Sequence, residues 1–333
     1  MKREQQRHGL SAFLITLLLI PCLALAKEKP YEALVVFGDS LSDPGNAFFL
    51  SGIHLKPPYQ TLDELLIPDA PYARGGNHFS NGATWIEQLA KKIDLGDSVK
   101  PAFKGENKKR LKLTNYAIGG ARARDDGLNI NLIQQLSLFL SDTRGAAPPE
   151  ALYVIALGGN DVRDAIEALI DDPTMLSSIA ILRDAVTALE DTIRALEDAG
   201  ATRLLIANSP DLSLTPAIQR LDMLYPGSAF GAAVLSQQFN LALDASLAQL
   251  SLYYPGLEIA RLDVFQAMQD ILVDPGAYGL ANVADACVMP NQPPFACKRP
   301  KRFLFWDGIH PTRAGHRIFA GKAAETLGLV LEK

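Results

Sequence analysis

Ser40 stands just after the apolar run ALVVFG (33–38), inside FGDSLSDPGN (37–46), with small or turn-forming residues on both sides. A serine at a strand-to-helix turn can project its hydroxyl into a site while its own backbone N–H points the same way. A helix N-cap serine would leave the same local pattern, so the chemistry has to be argued from more than one segment. WDGIHPTRAGH (306–316) supplies Asp307 and His310 three residues apart, and Pro311 favours an extended loop at His310. At this spacing the carboxylate can fold back onto one imidazole nitrogen. That contact fixes the tautomer and favours the imidazolium formed when the other nitrogen takes a serine proton. Asp and His are also metal ligands, but His54, His78 and His316 are scattered along the chain, and no metal site is expected.

LTNYAIGGARA (113–123) and IALGGND (155–161) each leave an apolar run through paired glycines, which lets backbone approach a substrate closely. The expected product is an oxyanion hole made by the N–H groups of Ser40 and Gly120 and the side-chain amide of Asn160. Tight left-handed turns without a catalytic part would explain the same glycines. Neither segment fits GxGxxG, and no phosphate loop with a following Lys is present. Arg122 and Arg124 read either as solvated surface arginines or as contacts for an anionic head group.

FGDSLSDPGN, NYAIGGA, LGGND and DGIHP occur in that order and resemble blocks I, II, III and V of the GDSL, or SGNH, lipases and esterases, over nearly all of the chain from Leu34 to its closing helix. The resemblance implies a flavodoxin-like three-layer α/β/α fold and a nucleophile at Ser40. It implies an oxyanion glycine five positions after Asn115, which is Gly120, an oxyanion asparagine at Asn160, and the Asp307 and His310 pair. It implies carboxylic ester hydrolysis through an acyl-enzyme, with no metal or organic cofactor. Acyl transfer to a lipid or sugar acceptor by the same residues, and a secreted binding protein that has lost activity, are the other readings. Block I reads SDPGN where long-form, lecithinase-like relatives usually have SDTGN, so Pro44 stiffens the turn after the nucleophile. SNGATWIEQLA (80–90) is similar to the corresponding stretch of bacterial phospholipase, haemolysin and outer-membrane esterase relatives.

The elements that must position these residues are legible as apolar runs: ALVVFG, LKLTNYA (111–117), ALYVIALG (151–158), TRLLIANS (202–209) and LEIARLD (257–263). Short continuous runs of this kind read as buried parallel strands. Between them apolar residues recur at three- and four-residue steps, in ATWIEQLAKKI, LNINLIQQLSLFL, 175–199 and SAFGAAVLSQQFNLALDASLAQL. The alternation predicts one α/β domain over 27–333, with a central parallel sheet of about five strands covered on both faces. Ligands of such sheets bind outside the carboxyl ends of the strands, where the motif-bearing loops would meet. Segments 48–80 and 273–302 are long, irregular and rich in Pro, Gly and Asn, and are candidate lids or pocket walls.

A net charge of −5 with both signs interspersed offers no field for nucleic acid. MKREQQRHGL followed by SAFLITLLLIPCLALA reads as a secretory signal over 1–26. A permanent membrane helix, the alternative, is disfavoured by the short run and by Pro21, and no integral anchor is expected. The mature protein is expected in the periplasm or outside the cell, as a monomer acting on a lipid or small-molecule ester. Cys287 and Cys297, which would remain after cleavage, are expected to form a disulfide in that oxidising setting, with two buried thiols as the alternative.

Overall fold

The computed structural model describes residues 30–104 and 114–329, so the expected signal over 1–26 lies outside the described residues. Strand β1 (Ala33–Gly38) leads through the Ser40 turn to α1 (Asn46–Ser51), and α2 (Trp85–Lys92) and α3 (Leu132–Thr143) precede β2 (Ala151–Ala156). Then come α4 (Gly159–Asp171), α5 (Leu176–Asp198), β3 (Arg203–Ala207), α6 (Pro216–Leu224), α7 (Ser228–Tyr253), β4 (Glu258–Leu262) and α8 (Val264–Val273). A short parallel pair, β5 (Asn282–Ala286) and β6 (Phe303–Phe305), precedes the closing helix α9 (Arg313–Thr326).

The first four strands form one parallel sheet in the order β1-β2-β3-β4. Gly38 is level with Ala156, Ala156 with Ala207, and Ala207 with Leu262, so the strands end together and their loops leave from one edge. Side chains alternate between the faces because the strand period is two residues. Val35, Phe37, Tyr153, Ile155, Leu204 and Ile206 enter the core shared with α3, α4, α5 and α7. Leu34, Val36, Leu152, Val154 and Leu205 enter the opposite core, shared with α2, α8 and α9. Both faces are thus dry, which is why these strands read as unbroken apolar runs. β4, at the edge, is more polar, and it carries ion pairs from Arg261 to Asp244 (3.1 Å) and from Glu258 to Arg203 (3.8 Å). Charges at this position discourage edge-to-edge pairing.

The sequence predicts about five parallel strands, whereas among the described residues the main sheet has four. Residues 111–113 lie outside the described residues, and 114–118 run beside β1 with a single bridge, Val36 to Asn115. Asn115 also bridges Pro101 on its other side, and its side chain bonds Ala117 and Ser42 (3.0 and 2.9 Å). Ile118 N–H still reaches Gly38 O (3.1 Å), but the Gly38 N–H that would extend a ladder donates to the Gln135 side chain instead (2.9 Å).

The two irregular segments pack against each other around a third core of Leu55, Tyr59, Leu66, Ala70, Tyr72, Cys287, Val288 and Trp306. The disulfide joins Cys287 to Cys297 at its margin. Closing a loop of this length stabilises by roughly 2–3 kcal/mol through restriction of the unfolded chain.

Candidate active site

β1 ends at Gly38, whose N–H and C=O both bond the side-chain amide of Gln135 on α3, each at 2.9 Å. Asp39 then folds the chain: its carboxylate accepts the N–H of Leu41 (2.9 Å) and its carbonyl that of Ser42 (3.0 Å). Ser40 sits in this turn and not at a helix N-cap, since α1 begins only at Asn46. Burial pushes Asp39 up to about 6, against the lowering effect of the Leu41 N–H.

Across the sheet edge, Ser40 Oγ lies 2.8 Å from His310 Nε2. His310 Nδ1 lies 3.0 and 2.9 Å from the two carboxylate oxygens of Asp307. A proton on Nδ1 directed at Asp307 leaves Nε2 free to accept the serine O–H. Asp307 is fully buried and well supplied with donors. Its Oδ1 accepts the N–H groups of Ile309 (2.9 Å) and His310 (2.7 Å), and its Oδ2 accepts the hydroxyl of Tyr72 (2.9 Å). Burial first, and then the charge of Asp307, raises the Tyr72 pKa well above that of an ordinary phenol, so it remains a donor. Tyr72 comes from the first irregular segment, and nothing in its local sequence marks it.

The loop carrying His310 is braced by the stretch before α2. Ser80 Oγ donates to Pro311 O and Arg313 N to Asn81 Oδ1, both at 2.7 Å, while the Phe79 ring lies 5.4 Å from the imidazole. These contacts give SNGATW a structural meaning. His316 lies on α9, buried, and among the described residues no group of three or more His, Cys, Asp or Glu is placed to hold a metal ion.

The paired glycines divide their work. Gly119 donates its N–H to Asp43 Oδ2 (2.9 Å), and a Cβ there would fall 2.2 Å from the Phe79 ring. Gly120 adopts φ +83°, a conformation that β-carbons disfavour. The Gly119 N–H is thus already committed to Asp43. Asn160 lies in the first turn of α4, and its Nδ2 donates one hydrogen to Ala121 O (2.9 Å), leaving the second N–H of the amide for another acceptor.

Ser40, Gly120, Asn160 and His310 all line one cleft of about 370 Å³, together with the apolar Leu41, Ile67, Phe79, Leu212 and Ile309 and the charged Asp39, Asp63, Asp69 and Arg163. Asp307 stands behind His310. Arg122 and Arg124 prove to be largely buried, 13% and 16% exposed, and paired with acids. Arg122 donates to Asp164 through Nε and a terminal nitrogen (3.0 and 2.9 Å), and Arg124 also pairs with Asp164. The sequence hides this because the acids that draw them in lie some 40 residues away on α4.

Residues 34–323 match the model of the GDSL-like Lipase/Acylhydrolase family. A GDSL esterase/lipase of Arabidopsis thaliana is 26% identical over 325 residues, covering 89% of this chain and 89% of that one. A thermolabile hemolysin of Vibrio parahaemolyticus is 25% identical over 327 residues, covering 91% of this chain and 65% of that one. Among solved structures, LAE5, an alpha/beta hydrolase enzyme from a lake metagenome, superposes with a TM-score of 0.49 at 16% identity, over 92% of this chain and 100% of that one.

Proposed function

The chain belongs to the GDSL-like lipase/acylhydrolase family and is a carboxylic ester hydrolase, and we propose that it works through an acyl-enzyme on Ser40. The observation that carries this reading is the unbroken relay from Ser40 Oγ to His310 Nε2 (2.8 Å) and from His310 Nδ1 to Asp307 (2.9 Å). His310 takes the serine proton as Oγ attacks the ester carbonyl, and Asp307 stabilises the imidazolium that results. Negative charge on the former carbonyl oxygen is met by the N–H groups of Ser40 and Gly120 and by Asn160 Nδ2. His310 then returns its proton to the leaving alcohol, and in a second round it activates water to release the acid.

The apolar residues in the cleft lining suit an acyl group, which favours a lipid or short-chain acyl ester as the substrate class. Names among the relatives, GDSL esterase/lipase and thermolabile hemolysin, agree with that class. The Cys287–Cys297 disulfide supports export to an oxidising compartment, as does the signal expected over 1–26. The Gly119 N–H bond to Asp43 supports Gly120 as the oxyanion glycine.

Turnover of p-nitrophenyl esters graded by acyl length tests the reading. Ser40→Ala and His310→Ala should nearly abolish it, and Asn160→Ala should lower kcat by about 10² to 10³. Activity close to wild type in purified Ser40→Ala would overturn it.

A further inference from the structure

The loop bearing Gly120 is laced to α4 by more than the Asn160 amide. We infer that Arg122 is a positioning residue for the oxyanion hole, holding the Gly120 peptide in place by bridging the Gly120 carbonyl to Asp164 on α4. The inference rests on the proposed acyl-enzyme mechanism and adds to it a residue that touches no substrate.

Arg122 Nη1 donates to Gly120 O at 2.6 Å, while its Nε and Nη2 grip Asp164 in a two-pronged pair. The side chain is only 13% exposed and Asp126 lies 3.4 Å from Nε, so its charge is matched inside the protein. Arginine suits this task because its planar fork can hold a carboxylate and still donate to a third acceptor.

The consequence falls on the Gly119–Gly120 peptide, which carries the Gly120 N–H. The peptide before it is fixed through Gly119 N–H by Asp43, and the peptide after it through Gly120 O by Arg122. The Gly120 N–H lies between these two charge-assisted bonds, in a glycine whose missing β-carbon would otherwise leave the backbone more conformations to choose from. Asp164 stands one helical turn beyond Asn160, and Asp161 accepts the N–H groups of Ala123 (2.8 Å) and Arg124 (3.3 Å). The two side-by-side oxyanion donors, one from a loop and one from a helix, are therefore referred to a single rigid element. Preorganised donors stabilise a developing oxyanion only if they are already aimed at it.

Arg124 provides the control. It pairs with the same Asp164 but makes no bond to Gly120, so it shares the network's contribution to stability without its grip on the oxyanion loop.

The test compares Arg122→Lys, Arg122→Gln, Asp164→Asn and Arg124→Gln in the full chain, by steady-state ester hydrolysis, by inhibition with a trifluoromethyl ketone, and by thermal melting. The ketone carbon accepts Ser40 Oγ, the serine proton passes to His310, and the resulting oxyanion occupies the hole. Arg122→Gln should lower kcat about tenfold to a hundredfold, the cost of a misaimed group, with KM within about twofold and ketone affinity reduced in parallel. Arg122→Lys and Asp164→Asn should fall between it and wild type. Arg124→Gln should lower the melting temperature while keeping kcat. Folded Arg122 variants with wild-type kcat and ketone affinity would overturn the inference, as would a rise in KM alone, or an equal loss of kcat in Arg124→Gln. Should Arg122→Gln be too unstable to assay, the same criteria applied to Arg122→Lys and Asp164→Asn decide. Failure of the underlying mechanism looks different, because Ser40→Ala would then retain activity whatever the Arg122 variants do.

Discussion

Asp307 is the residue on which the relay depends, and its environment explains how a buried carboxylate stays useful. Unpaired burial of a charge is costly, and several donors around it offset that cost. Two backbone N–H groups and the Tyr72 hydroxyl converge on Asp307, besides the imidazole it orients. The Tyr72 donation offsets part of the charge on Oδ2, which is also the oxygen nearer His310 Nδ1 (2.9 Å). Tyr72→Phe should therefore leave the carboxylate one donor short in a looser loop. We expect kcat to fall by about three- to tenfold, at or below what the loss of one hydrogen bond to a charged group costs. A folded Tyr72→Phe variant with wild-type kcat is the result that would contradict the account. Tyr72 could not be found in the sequence, since its partner lies 235 residues away and no periodicity marks its segment. Ser40, Asp307, His310, Gly120 and Asn160 could be picked out as candidates because each sits in a short motif, and the fold brings Ser40, Gly120, Asn160 and His310 to one cleft with Asp307 behind. Gln135, Arg122 and Asp164, which hold those motifs in place, look like ordinary polar helix and loop residues until the fold brings them together.

At the level of elements, β1, β2 and β3 were readable because both of their faces are buried and no polar residue interrupts them. The expected strand over 111–117 was not, because its described tail makes only a single bridge to β1 and another to Pro101. Segments 48–80 and 273–302 were expected as lids or pocket walls. Ile67, Pro68 and Asp69 of the first do line the cleft, but much of both segments is tied into the core that holds Tyr72. α9 carries a further consequence. Burial pushes its His316 down to about 3, with the nearby His310 and His78 acting in the same direction, and its Nδ1 has no hydrogen-bond partner. The unfolded chain, with its ordinary value of 6.5, binds the proton that the folded chain refuses. This group's contribution is thus fully present above about pH 6.5 and is lost as the pH falls toward 3, by at most about 1.4 kcal/mol per pH unit. Asp39, Asp43 and Asp161, raised by burial to about 6, act in the opposite sense, adding stability at low pH that is lost as pH rises through 6. The raw pH curve therefore mixes the two, and the difference between wild type and His316→Leu in urea unfolding isolates the histidine. Wild type should lose stability relative to the variant as the pH drops below about 6.5. A flat difference from pH 7 to 4 would show that His316 does not carry this charge penalty.

Over the described molecule, the parallel sheet delivers several loops to one edge, and the third core anchors the loop that brings Asp307 and His310 back to Ser40 across 270 residues of sequence. The arrangement draws on all three cores, since the proposed nucleophile rests on the sheet, the proposed oxyanion donors on α4 and the loop bonded to it, and Asp307 on the packed irregular segments. Its central claim is that Ser40 is the group acylated by substrate. The most direct measurement is mass spectrometry of the protein after reaction with a fluorophosphonate, with the modified peptide sequenced. A single adduct on Ser40, absent or strongly slowed in His310→Ala, is the predicted result. An adduct on another residue, or an active hydrolase that leaves Ser40 unlabelled, would contradict it.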